Sequence, residues 1–135
     1  MNKNQLINQQ QIVVACIKSN GSKAEVMDYL AMVAEELDAT SLPEDCKIAG
    51  CLSSTYFRAY IANDGCIRIE GNSQSVVMRG VIKIMQDALN DCDAETIREV
   101  GVTWVNDSGL LDMLTPQRQG AIRQMIERIN RACAA

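Results

Sequence analysis

The chain has 135 residues, 47% of them apolar, which suits a protein that buries a core and excludes a disordered one. With 13 basic against 17 acidic residues the net charge is -4, so there is no electrostatic reason to bind a nucleic-acid backbone. No stretch reads as a secretion signal or approaches the roughly 18 apolar residues of a membrane span, and without a histidine the usual zinc patterns and every His-dependent nucleophilic mechanism are excluded. The expectation is one cytoplasmic domain over residues 1–135, with no nucleic acid and no membrane among its partners.

Residues 1–10 are polar and glutamine-rich and read as a frayed lead-in. Val13, Val14 and Ile17 predict a short first helix ending at Asn20-Gly21, a pair suited to a left-handed cap or turn. Ser22 predicts the N-cap of a second helix, with Glu25 completing a capping box. Along it Val26, Met27, Leu30, Val33, Ala34 and Leu37 recur at helical intervals and form a core face, while the opposite face is acidic and solvated. Residues 39–46 contain Pro43 and turn-forming residues, and predict a loop leading into Ile48-Ala49-Gly50-Cys51-Leu52-Ser53.

Residues 54–62 are aromatic and β-branched and predict a strand with Phe57, Ala59 and Ile61 on one face. Asn63-Asp64-Gly65 is a hairpin signal. The return strand, residues 66–70, alternates Ile67 and Ile69 with Arg68 and Glu70, and residues 47–49 are a candidate third strand. Ser73 then reads as the cap of a helix carrying Val76, Val77, Gly80, Val81, Ile84, Met85 and Leu89 on one side, with Gly80 suited to a close helix-to-sheet contact. Asp93 predicts the cap of a short helix ending at Gly101. Thr115-Pro116 opens the last helix, whose buried side is Ala121, Ile122, Met125, Ile126, Ile129 and Cys133. Two helices, two or three antiparallel strands and further helices make an α+β fold with the helices on one face of a small sheet.

In a reducing cytoplasm the six cysteines are better read one by one than as disulfides. Cys51 follows Gly50 in a tight turn just before the strand, where a partner could reach it. Cys16 and Cys133 fall on apolar helix faces and are expected in the core, and Cys92 lies in a turn without an evident partner. Cys66 starts the return strand, roughly ten residues at about 3.3 Å each from Cys51, so the two should not meet. Cys46, five residues from Cys51 along the turn, is either an inert loop cysteine or a resolving thiol able to form a disulfide with it.

Three stretches in this order resemble the SufE and CsdE family of sulfur-acceptor proteins. The family's turn, roughly Asn-x-(Val/Ile)-x-Gly-Cys-Gln-Ser-x-(Val/Thr)-Trp, is similar to residues 46–56. Its Gly-(Asp/Glu)-Ser-(Asp/Glu), followed by a helix with Gly-Leu, is similar to Gly71-Asn72-Ser73-Gln74 and Gly80-Val81. Its Leu-(Ser/Thr)-Pro-x-Arg, shortly before a glycine, is similar to Leu114-Thr115-Pro116-Gln117-Arg118 and Gly120. Cys46 stands in place of asparagine, Leu52 of glutamine and Tyr56 of tryptophan, and the usual proline after Leu37 is missing.

The resemblance implies a persulfide carrier rather than an enzyme in its own right. It would accept sulfane sulfur on Cys51 from a pyridoxal-phosphate cysteine desulfurase, stimulate that enzyme, and deliver the sulfur to an iron–sulfur cluster scaffold protein. The implied fold is the one the family shares with U-type scaffold proteins. Thiolate attack on a sulfur–sulfur bond needs a reachable nucleophile and no cofactor of the carrier's own. The family's matching cation is Arg118, in the first turn of the last helix, where charge and helix dipole would favour a thiolate if that end lies near Cys51. Leu52 and Tyr56 are candidates for an apolar cover over the sulfur. Two other readings stand beside this one: a metal or cluster scaffold using Cys46, Cys51 and a third thiol, and a non-catalytic adaptor docking a desulfurase through the acidic second helix. A homodimer is compatible with any of them.

Overall fold

The computed structural model describes residues 1–51 and 53–134. Its elements are α1 (Lys3–Lys18), α2 (Lys23–Ala34), β1 (Thr55–Ile61), β2 (Ile67–Ser73), α3 (Val76–Leu89), α4 (Ala94–Val100), α5 (Trp104–Asp107) and α6 (Pro116–Ala134), with 3-10 turns at Glu44–Cys46 and Leu110–Met113. The fold is α+β, as expected. The strands pair antiparallel, with Thr55 opposite Ser73 and Ile61 opposite Ile67. Alternation puts Thr55, Phe57, Ile67, Ile69 and Ser73 against the helices, while Arg58 and Tyr60 face solvent. α3 lies against β2 and α2, and α6 against β1 and α4. No helix of the described residues is long and apolar enough to cross a membrane.

Several local signals act as read. Ser22 accepts the Glu25 N–H, although the Glu25 carboxylate takes the Gly21 N–H and so leaves the expected capping box incomplete; Asp93 accepts the Thr96 N–H at 3.3 Å, and Thr115 Oγ1 accepts the Arg118 N–H at 3.4 Å ahead of Pro116. The buried side of α6 is Ala121, Ile122, Met125, Ile129 and Cys133, with Ile126 packed at its margin.

Other expectations are corrected. The polar N-terminus is not frayed: Asn2 and Gln5 bond each other's backbone N–H at 2.9 and 2.7 Å in a capping box, so α1 starts at Lys3. Its inward stripe is Leu6, Gln10 and Ile17, which leaves Cys16 exposed rather than in the core, about 100° round the helix from Ile17. Gln10 is 1% exposed because all its polar atoms are used: it accepts the Thr103 and Trp104 N–H groups and donates to Gly101 O. α2 ends at Ala34, before Leu37. The third strand is reduced to one bridge between Lys47 and Tyr56. Ser73 does not cap α3 but ends β2; the cap is Ser75, which accepts the Met78 N–H at 3.2 Å. Gly80 makes its close approach to α2, not to the sheet, since a Cβ there would lie 2.2 Å from Leu30 O.

Candidate functional site

Cys51 sits on a loop whose neck is closed by two backbone bonds, Ile48 N–H to Thr55 O at 2.8 Å and Gln74 N–H to Ser54 O at 3.0 Å. Ile48, 2% exposed, anchors one side of the loop in the core. Gly50 has φ +75°, and a Cβ would meet nothing within 4 Å, so the turn needs glycine for its left-handed backbone and not for space.

Two α6 residues, one helical turn apart on the same face, grip the segment leading into this loop. Gln124 accepts the Ala49 N–H at 3.1 Å and donates to Ala49 O at 2.7 Å, as a paired strand would. Arg128 donates to the carbonyls of Cys46 at 2.7 Å, Phe57 at 2.6 Å and Lys47 at 3.0 Å. The guanidinium thereby joins the loop's entry to β1. Arg128→Ala should lower stability by about 2 kcal/mol, read as a drop in Tm of roughly 5–10 °C. Arg128→Lys should fail to restore it, because one ammonium cannot span three carbonyls. Equal melting of Arg128→Ala and the wild type would contradict the clamp.

The Cys51 thiol is half-buried and free, packed against the rim of the core. Its Sγ lies 3.5 Å from Thr55 Oγ1, which is itself 2.8 Å from Ser73 Oγ and donates to Ser53 O at 3.2 Å. Ser75 N–H donates to Ser73 Oγ at 3.0 Å, and Arg118 Nη2 donates to Ser75 Oγ at 3.4 Å. Arg118 therefore reaches the N-cap of α3, at the far end of a chain of polar contacts beginning at Cys51. It touches Ser75 and not the sulfur. Tyr56 does not cover the thiol: it alternates to the outer side of β1, where its hydroxyl donates to Glu44 Oε2 at 2.9 Å. The contribution expected of Leu52 lies outside the described residues.

The other thiols have different surroundings. Cys92 is buried, and loss of water contact followed by the nearby Asp93 charge pushes it up to about 11, so it stays protonated. Burial likewise raises Cys133, against an opposing effect of Arg98. Cys46 is raised first by desolvation and then by Asp45, to whose carboxylate it donates at 3.6 Å. It opens on a cavity of about 390 Å³ lined by Arg58, Arg128 and Arg131, and it shares no hydrogen-bond partner with Cys51. Among the described residues no group of three or more His, Cys, Asp or Glu side chains could hold a metal ion, which leaves the scaffold reading without its ligand set.

A clamped loop carrying one half-buried thiol, on an α+β frame, defines a small protein whose candidate site is a thiol. The model of the SufE family, described as an Fe-S metabolism associated domain, matches residues 11–133, and the chain belongs to this family and to iron–sulfur metabolism. An uncharacterized SufE-like protein from Synechocystis sp. (strain ATCC 27184 / PCC 6803 / Kazusa) is 29% identical over 72 residues, which is 53% of this chain. The match spans 45% of that relative's own length. The solution structure of a hypothetical protein from Thermus thermophilus is similar in fold, with a TM-score of 0.66 over 100% of both chains at 14% identity.

Proposed function

We propose that this chain is a sulfur carrier whose Cys51 accepts sulfane sulfur from the persulfide of a cysteine desulfurase and passes it on for iron–sulfur cluster assembly. The Cys51 thiolate attacks the outer sulfur of the donor persulfide. The donor's sulfur–sulfur bond breaks, its cysteine leaves as a thiolate, and Cys51 holds the new persulfide. One neutral sulfur moves and one negative charge changes sides, so the step needs no outside oxidant or reductant. The observation that supports this most is the setting of Cys51: a half-buried thiol on a loop fixed by Gln124 and Arg128, within a SufE-family match that also contains Arg118.

Fixing the loop holds the sulfur in one place for the incoming donor, and partial burial limits contact of the resulting persulfide with oxidants. Arg118 supplies positive charge at the α3 end of the polar chain that begins at Cys51. No resident cofactor is needed, because carbon–sulfur cleavage is done by the desulfurase.

Incubation with a desulfurase and free cysteine should add about 32 Da, one sulfur, and a reducing agent should remove it. A chain that raises desulfurase turnover yet never gains mass would instead be an adaptor. Arg118→Ala should load about three- to tenfold more slowly with its melting curve unchanged; an unaltered loading rate would remove Arg118 from the site.

A further inference from the structure

We propose that Thr55 is the hydrogen-bond donor to the deprotonated sulfur of Cys51, held ready for that role by Ser73. The inference rests on Cys51 being the sulfur acceptor and adds the group that favours its reactive form.

The bonding at Thr55 can be counted completely. Thr55 is 0% exposed and Ser73 6%, so neither hydroxyl has water as a ready alternative. A hydroxyl has one proton to give and two lone pairs to fill. Ser73 Oγ accepts the Ser75 N–H at 3.0 Å, and the acceptor within reach of its own proton is Thr55 Oγ1 at 2.8 Å. Thr55 then accepts from Ser73 and from the Cys51 S–H, and gives its proton to Ser53 O at 3.2 Å.

Loss of the thiol proton to solvent removes one donor from Thr55 Oγ1 and leaves an anion 3.5 Å away. The Thr55 O–H can rotate from Ser53 O to that sulfur. The bond from Ser73 keeps Thr55 Oγ1 in place, and Ser53, only partly buried, can turn its carbonyl to water. A single rotation thus exchanges a neutral contact for a charge-assisted one, which is the stronger kind. The same donor remains beside the inner sulfur once the persulfide has formed. Cross-strand pairing of Thr55 with Ser73 fixes the two hydroxyls opposite each other without loop movement. Thr55 acts on the reacting atom; Ser73 acts through Thr55 and is a positioning residue.

The test is the rate of Cys51 alkylation by iodoacetamide, followed on the tryptic peptide containing Cys51, which requires no desulfurase. At about pH 7, Thr55→Val should react about tenfold more slowly than the wild type, because the donor is lost at nearly constant volume. Thr55→Ser should stay within about twofold, and Ser73→Ala should fall between the two. Near pH 10.5, where an ordinary thiol is ionised without help, the rates should converge. A difference persisting at high pH would mean that valine merely blocks access, and a Thr55→Val rate equal to wild type at pH 7 would equally overturn the proposal. Failure of the wild type to accept sulfur would instead refute the carrier reading and leave the alkylation result interpretable.

Discussion

A Cys51→Ala chain is expected to take up no sulfur from a desulfurase, a loss of more than about a hundredfold, because the thiolate is the only bond-forming group in the step. Cys16→Ala, Cys46→Ala and Cys66→Ala should load as the wild type does. Cys16 is exposed in a groove beside Tyr29 and Met32, on the α1–α2 side of the molecule. Cys66 lies at the hairpin end of the sheet, donating to Asp91 O at 3.8 Å. Cys46 is held toward its protonated form by desolvation and by Asp45. Cys92 and Cys133 are buried. The alanine at 51 removes a small, half-exposed side chain, so its fold should survive at a cost of about 1 kcal/mol. Intact mass after incubation reads the result directly, and an undiminished sulfur adduct on Cys51→Ala would assign the acceptor elsewhere.

Gly80→Ala is the substitution expected to cost most in stability. In an open helix this change stabilises by about 1 kcal/mol. At position 80 the new Cβ would lie 2.2 Å from Leu30 O and 2.8 Å from Leu30 C, backbone atoms that cannot rotate away. α2 and α3 would have to separate, loosening the packing of buried Leu30 and Ile84. The expected cost is about 3 kcal/mol or more, a fall in Tm of roughly 10 °C or beyond. Gly120 provides the opposite sign. It lies within α6 with nothing within 4 Å of its would-be Cβ, so Gly120→Ala should raise Tm by a few degrees. Thermal unfolding followed by circular dichroism measures both, and an unchanged melting point for Gly80→Ala would contradict the close crossing.

Features that depend on neighbours along the chain were legible before any fold was known. Ser22, Asp93 and Thr115-Pro116 mark helix starts through bonds spanning three residues, and the alternation around Phe57 and Ile67 separates a wet face from a dry one. Gln10 misled because a polar residue signals exposure, whereas here it satisfies groups at residues 101–104, far along the sequence. Cys16 followed from the same error, since starting the helix late shifts which face looks inward. Gln124 and Arg128 left no readable signal: they are ordinary helix-surface residues whose partners are carbonyl and amide groups more than seventy positions away. The Thr55–Ser73 pair could have been found by extending the hairpin register from Asn63-Asp64-Gly65, but Gly71-Asn72 resembles a turn and hides the end of β2.

The location of the transferred sulfur tests the carrier reading most directly. The wild-type chain would be mixed briefly with a desulfurase and cysteine, then digested with trypsin without reductant and mapped by mass spectrometry. Cleavage after Lys47 and Arg58 separates Cys46 from Cys51 and leaves Cys51 as the lone thiol of peptide 48–58. One additional sulfur is expected on that peptide, removable by reductant. Peptide 48–58 remaining unmodified while the sulfur appears on the peptide ending at Lys47, or on any other, would contradict Cys51 as the acceptor.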